Sequence, residues 1–165
     1  LVATPAILTV AAEIVTVEAR HQTFIRIASK AAAIPSAFDT PLGVRSVFSL
    51  AAPLISSCPT NSNLKITAFP TLTMAPTGAA SNGTAGMGAG TKLTLTTTAT
   101  GATMCAFTNG GAPGGSIYVP YTNNECTVPT GLAGVTYVHL TSSVPAGNIL
   151  TDAVVVAGVQ VIQVS

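Results

Sequence analysis

The chain has 165 residues, a formal net charge of +1 and 7% charged residues, against about 25% in an ordinary soluble domain. Six Lys and Arg against five Asp and Glu leave no basic footprint for a phosphate backbone or an anionic membrane surface, which argues against nucleic acid as a partner. The 48% hydrophobic content supports a packed core and excludes global disorder, while Thr4, Thr9, Glu13, Thr16 and Glu18 interrupt the most apolar stretch before it reaches the roughly 18 residues of a membrane span.

The chain opens Leu1-Val2-Ala3, with no Met, no basic leader and no cleavage motif, so residue 1 reads as a processing point or boundary with sequence upstream. Thr4-Pro5 reads as an N-cap followed by Pro at the first helical position, where the missing N–H costs nothing. From Ile7 the residues Val10, Ala11, Ile14, Glu18, His21, Ile25 and Ala28 fall on one helical face, and no Gly or Pro interrupts before Pro35. The spacing predicts a helix of about 25 residues, roughly 38 Å long. An amphipathic helix of that length takes most of its stability from packing. No second helix of similar length follows in the sequence, so its partners are expected from an upstream helical segment, a second chain or homo-oligomer, or the neighbouring domain.

Glu18 and His21 lie one turn apart near the centre of that face and are expected to point into a core. A buried carboxylate must be paired, hydrogen-bonded, protonated or metal-bound. Glu-x-x-His on an inward helix face is the repeating half of a di-iron or di-manganese carboxylate site, which takes one such motif from each of two helices and a Glu from each of two others. The same two residues also satisfy each other readily in a polar core layer.

Ile34 to Pro41 is Pro-punctuated and extended, and Asp39 or Thr40 then caps a short helix expected over roughly residues 42–56, ended or kinked by Pro53. Val44, Val47, Phe48, Ala51 and Leu54 supply its apolar side. Cys58-Pro59 and the polar run Thr60 to Asn63 mark a boundary near residue 60, after which Thr, Val and Gly dominate. This divides the chain into a helical part, 1–60, and a β-rich part, 61–165.

The stretches Ala11 to His21, Pro35 to Leu42 and Phe48 to Pro59 resemble the secreted fungal ferritin-like proteins labelled stress-response or late-sexual-development proteins, themselves distantly similar to plant desiccation-related proteins. The runs Ile66 to Pro70 and Leu150 to Gly158 look like the β-rich tail that follows the helices there. The resemblance implies that the chain is the C-terminal part of such a protein: the last helix of a ferritin-like bundle, a connector and a β-domain, with the three preceding helices lacking. It places Glu18 and His21 at last-helix ligand positions for Fe or Mn, as a working or a degenerate dimetal site. It also implies a secreted, extracellular or cell-wall location.

Beyond residue 63, short β-branched or alternating runs are separated by Gly, Pro and Asn: 65–69, 72–74, 92–98, 104–108, 116–121, 126–128, 135–140 and 154–164. Seven or eight strands in about 100 residues predict an immunoglobulin-like antiparallel sandwich, and so an α+β fold overall. Alternation in the run around Tyr137 puts Val135, Tyr137 and His139 on one face, with His139 expected at the surface or an edge. Residues 76–90 offer almost nothing to bury and read as a mobile loop, with an N-glycosylation sequon at Asn82. Cys105 and Cys126 are expected to bridge. Cys58 is left over, either paired to an upstream segment or buried and reduced.

No Gly-x-Ser-x-Gly elbow, His-Glu-x-x-His or Cys/His cluster occurs, and Asp39, Glu125 and Asp152 are scattered, which disfavours hydrolase chemistry. Three functional classes remain. The first is a structural or binding protein with an incomplete dimetal site. The second is a metal-dependent oxidoreductase or storage protein that completes the Glu18 and His21 site with outside ligands. The third is a glycan-binding module using Tyr118, Tyr121 and Tyr137 as platforms with the amides of Asn109, Asn123 and Asn124.

Overall fold

A computed structural model describes residues 4–61, 65–76 and 87–165. Of the loop expected over 76–90, residues 77–86 therefore fall outside the described residues, the sequon residue Asn82 among them. The chain forms two compact units, Leu1–Pro35 and Ser36–Ser165.

The first unit is one helix, α1 (Pro5–Ala28), 24 residues long and so about 36 Å. Pro5 opens it as expected. Thr4 stands at the N-cap, but its carbonyl rather than its hydroxyl is engaged, accepting from Ile7 N at 3.0 Å and Leu8 N at 3.1 Å. The helix ends in a Schellman arrangement. Lys30 takes a left-handed φ of 57°, Lys30 N donates to Ile27 O at 3.0 Å, and Ala31 N donates to Arg26 O at 2.9 Å. Arg26 closes the end from its side chain, donating from Nε to Ala32 O at 2.6 Å. No residue of α1 is buried. Large apolar side chains stand on several sides of the cylinder, including Leu8, Ile14, Phe24 and Ile27.

The second unit has three layers. A short helix, α2 (Val44–Ala51), runs into a single 3-10 turn, Ala52–Leu54, where Pro53 stops it. Seven strands follow: β1 (Thr73–Pro76), β2 (Lys92–Thr96), β3 (Met104–Thr108), β4 (Ser116–Pro120), β5 (Glu125–Thr127), β6 (Gly134–Thr141) and β7 (Val155–Val164). They make two antiparallel sheets, β1-β2-β5 and β4-β3-β6-β7. This is an α+β fold with a β-sandwich. It differs from the immunoglobulin constant arrangement in one strand, because β4 pairs with β3 in the larger sheet instead of joining the smaller one.

The core lies between the sheets, where Leu72, Leu93, Leu95, Phe107, Val128, Val138, Leu140 and Ile162 are buried with Cys105 and Cys126. The two cysteines are bridged, with 6.4 Å between their Cα atoms, so the disulfide ties β3 in one sheet to β5 in the other. The larger sheet is covered on its outer face too. On β3 and β6 the outward residues Ala106, Thr108 and His139 are buried along with the core residues between them.

The cover consists of α2 and the segments flanking it. Arg45 on α2 donates from Nε to Thr67 O at 2.8 Å, and its guanidinium lies 4.0 Å over the Phe69 ring. Ser49 accepts from Phe69 N at 2.9 Å. Residues 65–69, expected as a strand, are therefore an extended segment clamped by helix side chains and not part of a ladder. Upstream, Ser36 Oγ accepts from Val135 N at 2.7 Å, and Thr40 Oγ1 accepts from Gly110 N at 2.9 Å. At Gly110 a Cβ would stand 2.2 Å from Asp39 O, so only glycine admits the connector there. These bonds place the connector and α2 in the same unit as the strands, Ser36–Ser165.

Candidate functional sites

Two places in the described residues gather polar chemistry, one in each unit. The first is the centre of α1. Glu18 and His21 are exposed within the chain, where the core expected around them needs helices from an upstream segment or another chain. The reason is that their unit contains no second element to pack on them. They share a face with Ile14, which is 51% exposed, and Ile25, which is 61% exposed. Neither makes an ion pair or a side-chain hydrogen bond with any described residue; the recorded ion pair, Lys92 to Glu125 at 3.5 Å, is elsewhere. No group of three or more His, Cys, Asp or Glu that could hold a metal occurs among the described residues. Glu18 and His21 are thus two uncommitted donors one turn apart, one of the two Glu-x-x-His pairs that a dimetal carboxylate centre requires beside two further Glu.

The second place is under α2. His139, expected at the surface, is fully buried, because α2 and the segment 67–69 cover the outer face of β6. Its Nε2 lies 3.1 Å from Ser46 Oγ, and its ring meets Phe69 edge-on with centroids 6.4 Å apart. Burial lowers the imidazole pKa from 6.5 to about 4. Gly158, opposite His139 in the β6/β7 register, makes the room: its φ is 156°, and a Cβ there would sit 2.8 Å from His139 Cδ2. The Nδ1 atom has no hydrogen-bond partner among the described residues.

Ser46 also lines a cleft of about 130 Å3 with Leu42, Thr108, Ser116, Ile149 and Asp152. Thr108 and Ser116 hydroxyls hydrogen-bond each other at 3.0 Å. A Cβ at Gly43 would stand 3.4 Å from Asp152 Oδ1, so this carboxylate sits by the start of α2. Hydroxyl, imidazole and carboxylate are gathered from distant points in the chain, but their geometry is not that of an activated nucleophile. Such a base needs a third group on its other nitrogen and a pKa near the working pH. His139 has neither, and its bond to Ser46 anchors α2 to the sheet. Nothing local in the sequence signals this pair, whose members are 93 residues apart.

The residues considered for glycan contact divide. Asn109 is buried, and its Nδ2 donates to Ala133 O, Val135 O and Thr136 Oγ1, each at 3.0 Å. Its Oδ1 accepts from Gly111 N at 2.9 Å. That amide is committed to shaping the loop after β3. Tyr121 Oη lies 2.9 Å from Leu95 O and 3.0 Å from Asn124 Oδ1, so these two side chains hold strand ends together. Tyr118 and Tyr137 stand half-buried on β4 and β6, and Asn123 is exposed.

Cys58 is exposed and free. No helix among the described residues is long and apolar enough to cross a membrane. The chain matches no protein-family model, and a search of curated proteins finds no relative.

Proposed function

We propose that the protein is a secreted structural or binding component in which α1 is a docking helix and the disulfide-bridged sandwich is the folded body that carries it. On this reading the chain is the C-terminal part of a ferritin-like protein of the stress- or development-associated kind, and α1 completes a helical bundle with helices from an upstream segment or another chain. The observation that carries the proposal is α1 itself: 24 residues without a single buried side chain and with apolar groups around most of its circumference. The Cys105–Cys126 bridge supports the extracellular part of the reading, since such bonds persist in oxidising compartments.

The uncommitted state of Glu18 and His21 favours a second reading, a metal-dependent oxidoreductase or storage protein. The chain supplies only part of a donor set, so Fe or Mn would be held by Glu18 and His21 together with carboxylates and imidazoles of other helices. The bound metal would supply redox or storage chemistry. The role of this chain is to present one carboxylate and one imidazole from a single turn.

Ile14→Asp tests the docking role. Introducing a charge at the middle of the apolar face should abolish the association of the full chain with its helical partner in native mass measurements, while the thermal transition of the sandwich stays unchanged. Association that survives the substitution contradicts the proposal. Metal analysis of the assembled protein separates the two readings: Glu18→Ala should remove stoichiometric Fe or Mn if the metal reading holds, and full retention in that variant contradicts it.

A further inference from the structure

The face of α1 reads the same in both directions in one chemical respect. From its N-terminal side it runs Ala11, Ile14, Glu18, and from its C-terminal side Ala28, Ile25, His21, with the same alternating spacing of three and four. An antiparallel copy of the helix, related by a two-fold axis between residues 19 and 20, therefore sets Ala11 against Ala28 and Ile14 against Ile25. It also sets Glu18 against the second copy's His21, and each contact occurs twice. These are the alternating layers of an antiparallel two-helix seam. A two-fold interface requires this kind of self-complementary patch.

We infer that α1 docks on α1 of a second copy of this chain, antiparallel, with two Glu18–His21 contacts at the centre of the seam. The inference rests on the docking-helix reading above and names the partner. Three observations favour a second copy over an unrelated helix. The apolar residues match by size in the two-fold register. The polar residues are complementary only in that register: a parallel pair would set carboxylate on carboxylate and imidazole on imidazole, so the central layers select orientation as well as partner. And both groups are exposed and uncommitted within the chain, ready for a cross-helix contact. Val17 and Phe24 flank the seam from one side, and Phe24 is 73% exposed, giving each copy an apolar shoulder beside the polar centre.

The test uses the full chain and two single substitutions, Glu18→His and His21→Glu, in sedimentation equilibrium or native mass spectrometry. The unsubstituted chain should dimerise. Each single variant puts like groups against each other and should weaken self-association by about tenfold or more in Kd. Mixing the two variants should then recover a one-to-one heterodimer, because the pair of carboxylates on one chain meets the pair of imidazoles on the other. Circular dichroism and the melting of the sandwich control for folding, since both positions are on the surface. If the mixture forms no heterodimer, or if neither substitution changes association, the antiparallel seam is wrong. A chain that stays monomeric with α1 helical overturns the second copy as partner but leaves docking on other helices standing. Intrachain cross-links from α1 to the sandwich in such a monomer would overturn both.

Discussion

His139 is the residue whose surroundings have the most consequence. It was legible as a strand residue but not as a buried one, because alternation along β6 assigns it to the face opposite Val138 and Leu140. Only the third layer, contributed by residues almost a hundred positions earlier, turns that face inward. Its folded pKa of about 4, held down by burial, lies below the ordinary value of 6.5. The unfolded chain therefore binds the proton more readily, and stability is complete above about pH 6.5 and falls as the pH drops toward 4. The loss amounts to about 3 kcal/mol at about 1.4 kcal/mol per pH unit. Denaturant midpoints measured from pH 7 to pH 4 should show this slope, and His139→Leu should flatten it; an unchanged slope in that variant contradicts the assignment. Gly158→Ala drives a methyl into the same ring at a φ that L-residues rarely adopt. It should cost about 2–4 kcal/mol in chemical denaturation, whereas Gly101→Ala, with open space around it, carries only the backbone strain.

At the scale of elements, the strands were the most readable part. Runs of β-branched residues with a period of two lie within a residue or two of β2, β3, β4, β6 and β7, since each has one face in the sandwich core. The run 65–69 has the same pattern and yet forms no ladder, because Arg45 and Ser49 take its backbone groups. A helix side chain competing for a strand's hydrogen bonds leaves no trace in local periodicity. The inter-sheet bridge is an independent stabiliser of the sandwich. Replacing both Cys105 and Cys126 by Ala should lower stability by about 3 kcal/mol, the chain-entropy value for a separation of 21 residues. Equilibrium unfolding checks this, and a loss below about 1 kcal/mol would show that packing alone holds the sheets together. The end of α1 offers a smaller test. Lys30 occupies the left-handed position that glycine adopts without strain, so Lys30→Gly should raise helix content slightly, by a stabilisation of about 0.5–1 kcal/mol seen by circular dichroism.

For the whole molecule, the sequence already showed a long amphipathic helix followed in the chain by a β-rich part. Glu18 and His21 lie on the apolar stripe of that helix, and their unit holds one helix, so nothing within that unit covers them. A core around them requires helices from outside the unit, which is what the proposed docking provides. Asn82 and its sequon lie outside the described residues, and the amide of Asn109 and the hydroxyl of Tyr121 are engaged in hydrogen bonds within their own sandwich. The central claim is that α1 is a contact element and not a free helix. Hydrogen exchange of the intact chain, followed by mass spectrometry at two widely separated protein concentrations, tests it most directly. The account predicts that amides from Ile14 to Ile25 become strongly protected as concentration rises while the sandwich amides do not change. Rapid exchange of that segment at both concentrations, at the rate of an isolated helix, would contradict it.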